Sequence, residues 1–282
     1  MLSYRHSFHA GNFADVLKHH VLVHVLRYMG QKDKPYAYID THAGAGVYAL
    51  SSTHATKNRE FDTGIGPLRM DQMPELNDYL QTVVQCDEAA NKIRTSREGY
   101  YPGSPEIARQ WMRPYDKGFL YELHPTDFDL LNDHLGRDRR FIAEQSDGFQ
   151  GLIARLPPQS RRGVVLMDPP YELKSDYDNA ISTLVKAHKR FGTGVFALWY
   201  PVVERERVHR MEAALRKSGI RNIQLFELGI GSDTLEHGMT SSGMIVINPP
   251  WTLKAEMDKL LPYLASTLST VGVWRSEVLV QE

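Results

Sequence analysis

Downstream of about residue 105 the chain repeats one pattern: a short apolar run, then a stretch with helical periodicity. The apolar runs lie in "GFLYELHP", "RRFIAEQSDGF", "GVVLMDPPY" and "GVFALWYPV", and the helical stretches in "TDFDLLNDHL", "FQGLIARL", "YDNAISTLVKAHKRF" and "ERERVHRMEAALRKSG". Strands that alternate with helices of this length specify a parallel sheet covered by helices, an α/β fold. "NIQLFEL" and "SGMIVINPPW" then follow as two strands with no helix between them, which points to an antiparallel hairpin at the end of the sheet. A further helix is expected after them. Upstream, "NFADVLKHHVLVHVLRYM" reads as a helix with a broad apolar stripe at Val16, Leu17, Val21, Val23, Val25 and Leu26, and "YAYIDTHAGAG" as a strand ending in a glycine-rich turn. Residues 51–99 differ: polar at first, then helical in "PELNDYLQTVVQCDEAANKIR", until "YYPGSP" breaks the pattern. The expected organisation is a core of residues 1–50 and 100–282, with an N-terminal arm and helix at 1–30, interrupted by a helical insertion at 51–99.

The chain's 282 residues suffice for a self-supporting core, and 42% hydrophobic with 24% charged residues is the balance of a globular protein. No apolar run approaches the ~18 residues of a membrane span, and "MLSYRHSFHAGNF" lacks the apolar block of a secretory signal. Cys86 is the single cysteine, which excludes an internal disulfide and a cysteine-based zinc site and fits a reducing, cytoplasmic setting. A net charge of −1 excludes a surface that grips nucleic acid everywhere. Local basic faces remain: Arg137, Arg139 and Arg140; Arg161 and Arg162; Lys189 and Arg190; Arg205, Arg207 and Arg210. The plainer reading of each is a solvated face.

Ligands of an open α/β sheet bind beyond the carboxyl ends of its strands. There the sequence places Asp40, Glu122, Asp147 and Asp168, an acid at or next to the end of four successive strands. Gly44 and Gly46 allow a tight turn and close approach of a ligand, but their A-G-A-G spacing is a poor pyrophosphate cradle. An acid such as Glu122 can accept two ribose hydroxyls, and Asp147 an exocyclic amino group. Together they describe a pocket for an adenosine without phosphate, and S-adenosylmethionine is the common cofactor of that kind. In "DPPY", Asp168 offers a carboxylate, Pro169 and Pro170 stiffen the backbone and leave the Pro169 carbonyl free to accept, and Tyr171 offers a ring for stacking on a base. Two fixed acceptors beside an aromatic face suit a planar NH₂ group such as adenine N6. Drawing its two N–H bonds to Asp168 and the Pro169 carbonyl localises the nitrogen lone pair for methyl transfer, after which Asp168 can take the proton.

Other features have plainer readings. "NPPW", Asn248 to Trp251, has the same form as "DPPY" but stands apart from the strand-end acids and reads as structural. His20 and His24, four apart on the first helix, lack a convincing third ligand, so packing is expected and no metal. His6 and His9, with Tyr4 and Arg5, make a polar-aromatic N-terminal arm. Cys86 reads as a small buried apolar residue.

"MLSYRHSFHAGNFADVLKHH", "DTHAGAG", "YYPGSP", "ELHP", "DGF", "DPPYE", "ALWYPVV" and "GMIVINPPW" together resemble the bacterial large-subunit ribosomal RNA adenine-N6 methyltransferases of the RlmJ family, from Met1 to about Leu261. The resemblance implies a Rossmann-like class I S-adenosylmethionine-dependent methyltransferase core with a small helical insertion, acting on an adenine of 23S rRNA. It implies Asp168 as catalytic proton acceptor and Lys18, His19, His42, Ser104, Glu122, Asp147 and Gly148 around the cofactor. Tyr4 would lie near the RNA, as would Tyr171, and the arm would close over cofactor or substrate. A monomer acting on free or early-assembly RNA is expected. The motif chemistry alone leaves open DNA adenine, a glutamine side chain, or a non-catalytic RNA-binding scaffold; the A-G-A-G turn disfavours a dinucleotide oxidoreductase.

Overall fold

The computed structural model describes residues 5–92, 99–232 and 238–282. After a 3₁₀ turn at His6–Phe8, α1 (Phe13–Gly30) leads into β1 (Ala37–Asp40). Next come β2 (Val47–Ala49), α2 (Thr53–Asn58), α3 (Asn77–Asn91), β3 (Tyr100–Pro102) and α4 (Ser104–Trp111). The alternating part follows: β4 (Lys117–Tyr121), α5 (Pro125–Leu135), β5 (Phe141–Glu144), α6 (Gly148–Arg155), β6 (Gly163–Met167), α7 (Asp176–Arg190), β7 (Val195–Val202) and α8 (Arg205–Lys217). The chain closes with β8 (Ile223–Gly229), β9 (Ser241–Ile247), α9 (Leu253–Leu268) and β10 (Val273–Val280).

Eight strands form one sheet in the order β10-β8-β9-β7-β6-β1-β4-β5. The five from β7 to β5 are parallel. Their register brings the carboxyl ends level: Asp40 lies opposite Leu120 and Leu166, and Tyr121 opposite Glu144. The strand-end acids therefore gather along one edge. The expected late hairpin is present, with β9 antiparallel both to β8 and to β7. Three strands were not foreseen. β10 adds antiparallel to β8 at the sheet's rim, where Arg275, Ser276 and Glu277 interrupt any apolar run, as is common for edge strands. β2 and β3 pair in a small separate ribbon, so the segment "YYPGSP" is a buried strand and the start of α4 rather than a break.

Helices cover both faces. Against one, Leu17 and Val21 of α1, Ile107 of α4 and Leu260 of α9 pack on Tyr38, Leu166 and Val246. Leu76 and Tyr79 from the 51–99 stretch join this same core. Against the other face, Leu152 of α6, Leu184 of α7 and Leu215 of α8 pack on Val165, Leu198 and Ile245. α1 is buried almost all round rather than along a stripe, with Asp15, Lys18, His19, His20 and His24 inside. Buried polar groups must find partners, and His20 and His24 meet Glu256 of α9 at 3.0 and 2.9 Å.

Asn248–Trp251 lies at the opposite edge from Asp168, because Ile247 faces Phe196 at the start of β7. Asn248 donates its side-chain N–H groups to the carbonyls of Gly192 and Gly194 at 2.9 and 2.8 Å, which ties the turn down. Among the described residues no helix is long and apolar enough to cross a membrane.

Candidate active site

Gly44 and Gly46, at φ +62° and +83°, turn the chain after β1 in a conformation that L side chains rarely adopt. A Cβ on Gly44 would also meet the Tyr48 hydroxyl at 2.2 Å. The turn presents the Gly44 N–H to Glu122 Oε2 at 2.8 Å, while Oε1 takes the His124 N–H at 2.7 Å. Each carboxylate oxygen keeps a second lone pair for a ligand. Burial pushes the Glu122 carboxyl up, and these two backbone donors oppose it. Asp147 caps α6: its Oδ1 accepts from Phe149 N at 2.8 Å and Gln150 N at 3.1 Å. Asp40 is fully buried and accepts Tyr38 OH and Ser104 Oγ, both at 2.7 Å. Burial pushes its carboxyl up to about 6.

One cleft of ≈ 980 Å³, counted out to its mouth, has Lys18, His19, His42, Ser104, Glu122, Asp147, Gly148 and Asp168 on its wall, while Asp40 lies behind it, reaching it only through Ser104. Its wall carries five carboxylates, Glu122, Asp127, Asp147, Asp168 and Glu172, against a single ammonium, Lys18. Burial depresses both histidines, His42 to about 4 and His19 to about 3, so both are neutral near pH 7. His19 Nδ1 pairs with Tyr101 OH at 2.8 Å and His42 Nδ1 with Thr41 Oγ1 at 2.8 Å. His124, also on the wall, has a buried Nδ1 without a partner.

This lining fits S-adenosylmethionine. It offers acceptors for ribose hydroxyls and an amino group, an unpaired ring nitrogen, and a carboxylate excess that favours a cation. It is the wrong sign for a pyrophosphate.

A second cavity of ≈ 660 Å³ adjoins the first. His6, Lys18, Asp168 and Pro170 belong to both walls. Tyr171 and Trp199 line the second, and the indole Nε1 of Trp199 is buried without an acceptor. Tyr171 stands at φ +51°, an uncommon conformation for a residue of its size. Its hydroxyl donates to the Trp199 carbonyl at 2.7 Å and its ring packs 4.5 Å from that of Tyr177. Asp168 Oδ2 accepts from Lys18 Nζ at 2.6 Å. Pro169, buried between the two wall residues Asp168 and Pro170, lines neither cavity. Tyr4 lies outside the described residues.

Sequence reasoning missed Asp15, which joins Lys18 at 2.9 Å and His6 at 2.9 Å. The available signal was its spacing, three residues before Lys18 and four before His19 on a helix capped by Asn12. Trp199 was quoted only within "ALWYPVV", since its place beside Tyr171 depends on sheet order. Among the described residues no group of three or more His, Cys, Asp or Glu side chains can hold a metal ion.

A mostly parallel sheet with late antiparallel strands, a glycine turn after β1 and an acidic cleft along the carboxyl edge define a class I S-adenosylmethionine-dependent methyltransferase. The profile of the family described as "RsmJ: Ribosomal RNA large subunit methyltransferase D, RlmJ" matches residues 33–280. The chain belongs to this family, and is with it an S-adenosylmethionine-dependent methyltransferase of ribosomal RNA adenine. It is 49% identical to the ribosomal RNA large subunit methyltransferase J of Escherichia coli (strain K12) over 280 residues, 99% of this chain and 98% of that one. With the protein of the same name from Haemophilus influenzae it shares 44% identity over 286 residues, covering all of both. A crystal structure of a Legionella pneumophila protein superimposes with a TM-score of 0.85 at 32% identity, over 96% of this chain and 98% of that one.

Proposed function

We propose that the protein methylates N6 of an adenine in 23S rRNA, with Asp168 and the Pro169 carbonyl accepting the N6 hydrogens and Tyr171 holding the base. The observation that carries this reading is that Asp168 lies in the wall common to both cavities. Lys18, His19, His42, Ser104, Glu122, Asp147 and Gly148 would hold S-adenosylmethionine in the larger cleft. When bound, that cofactor supplies an electrophilic methyl group on a sulfonium sulfur. The smaller cavity takes the adenine, which must leave its stack to enter. Lys18 occupies Oδ2 of Asp168, leaving Oδ1 to accept from the amino group. The Pro169 carbonyl lies behind the wall and must come forward as the base enters; with the second N–H drawn to it the nitrogen lone pair is localised, and the Asp168 carboxylate stabilises the positive charge that grows on it. Asp168 then takes the proton. The Trp199 N–H suits a ring nitrogen of the base, since an indole only donates.

For the RNA beyond the target base, three of the four basic clusters are poorly placed. Arg137–Arg140, Arg161–Arg162 and Lys189–Arg190 precede β5, β6 and β7, at the edge away from the site. Arg205, Arg207 and Arg210 follow β7 on the catalytic side; Glu227 holds Arg205, and we assign the RNA path to Arg207 and Arg210. Free or early-assembly RNA is the form that can offer an extruded base, and a monomer working in the cytoplasm suffices for this arrangement.

Incubation of purified protein with labelled cofactor and 23S rRNA, adenine-containing DNA duplex and a glutamine peptide tests the reading. Label at one adenine N6 of the RNA, located by mass spectrometry, is the expected result. Label in DNA or peptide alone overturns it.

A further inference from the structure

The proposed function gives Asp168 a task and leaves Asp15 without one. Asp15 is 1% exposed, in the first turn of α1. Its Oδ1 lies 2.9 Å from Lys18 Nζ, and that same nitrogen lies 2.6 Å from Asp168 Oδ2. Its Oδ2 accepts His6 Nε2 and the Gly11 N–H, each at 2.9 Å. His19 Nε2 stands 3.8 Å from Oδ1. One carboxylate thus joins the N-terminal arm, through His6 and Gly11, to the proposed catalytic carboxylate, through Lys18.

We propose that Asp15 is a positioning residue for methyl transfer, acting through Lys18 on Asp168; the proposal rests on the reading of Asp168 as acceptor. An acid in the first turn of a helix is ordinarily explained by the helix dipole. That does not explain why this one is buried or why it faces an ammonium bound for a second acid. Lys18 is itself 4% exposed. Alone with Asp168 it would form a neutral pair and cancel the charge that attracts the amino group. With Asp15 added, two carboxylates share one ammonium, so Lys18 is not spent on Asp168 alone. The shared ammonium is also fixed from two sides, which aims Asp168. Burial works to raise the Asp15 carboxyl, but His6 and Lys18 outweigh it and hold it well below the usual range. Asp15 is therefore charged whenever the enzyme works.

Asp15→Asn keeps one acceptor for Gly11 and His6, removes the charge, and turns an NH₂ that cannot accept toward Lys18. Steady-state methylation of an in vitro transcribed 23S rRNA fragment is expected to show kcat down about ten- to hundredfold. KM for RNA and the calorimetric affinity for S-adenosylmethionine should move less than about twofold, a split that a merely structural role would not give. In a Lys18→Gln background the same substitution should have no further effect on kcat. An unchanged kcat in the single variant, equal losses of kcat and cofactor affinity, or multiplied losses in the double variant would each overturn the proposal. Should the single variant fail to fold, Asp15→Glu, which keeps the charge but displaces it, takes its place: kcat down at least about tenfold with cofactor affinity within about twofold is expected, and wild-type kcat overturns the proposal. If Asp168→Asn itself retains full activity, it is the reading of Asp168 that fails, whatever Asp15 does.

Discussion

A methyl group on Gly148 would sit 1.8 Å from the carbonyl oxygen of Thr41, so the first residue of α6 lies directly on the loop after β1. No side chain can retreat from that contact, because both sides are backbone. Gly148→Ala must push α6 and its cap, Asp147, away from the cofactor cleft. We expect a loss of stability of about 1–3 kcal/mol, the usual cost of overpacking, together with a large loss of S-adenosylmethionine affinity. Urea unfolding and calorimetric titration on the same preparation measure both; wild-type affinity would show that the contact is not critical. At this scale the sequence was informative where chemistry and position coincide. Glu122, Asp147 and Asp168 sit at strand ends, and strand ends in an open parallel sheet are where ligands go. Asp15 was hidden because an acid in a helix's first turn looks like surface, and only the burial of α1 reveals otherwise.

At the level of elements, β10 is held to the sheet by charge as well as by its ladder. Glu227 of β8, 2% exposed, accepts Tyr200 OH and Arg205 Nη1 at 2.8 Å and meets Arg275 of β10 at 3.2 Å. Glu212 of α8 takes the same guanidinium at 2.9 Å. Removing one partner of a buried network leaves the others uncompensated. Glu227→Ala leaves Tyr200 OH and Arg205 without this acceptor while Arg275 keeps Glu212; it should cost about 1–3 kcal/mol and loosen β10, read as faster amide exchange at Val273–Val280; unchanged exchange there would count against this role. The same elements mark where pattern reading stopped. The parallel strands are continuous apolar runs between helices and were legible. β10 carries a polar block, Arg275 to Glu277, in its middle and makes sense only once Arg275 has Glu212 and Glu227 beside it. α1 read as a helix with one broad apolar stripe because its histidines, Lys18 and Asp15 are polar. Partners of the histidines and of Lys18 come from α9, β3 and the residue after β6, far away in the chain.

Across the whole molecule, burial and ion pairing make the fold sensitive to acid. Burial depresses His19 to about 3, His42 to about 4, and His20 below its usual value, against the first's and third's pull from Asp15 and Glu256. An unfolded chain protonates these rings near pH 6.5 and the folded one does not, so their contribution is complete above that pH and is lost as pH falls towards 4. Glu106, lowered to about 2 by His134 and Arg109 against burial, and Asp15 add losses below about pH 4. Asp40, raised to about 6 by burial, works the other way, favouring the fold more below pH 6 than above. Glu122, also raised by burial, and His9, raised by its bond to Glu60, act with Asp40, but the four lowered rings of His19, His20, His42 and His188 outnumber these three groups and leave a net fall. The urea midpoint should drop from pH 7 to pH 4.5, and a midpoint that rises over this interval would contradict the balance.

The sequence resemblance and the comparisons agree on the family, while the two cavities and their common wall became visible only in three dimensions. That common wall is the central claim, and single-turnover methyl transfer by Asp168→Asn tests it most directly. With cofactor affinity unchanged by calorimetry, the rate on 23S rRNA should fall by about 10²-fold or more, the usual contribution of a positioned proton acceptor. A rate within a few fold of wild type would remove Asp168 from the chemistry.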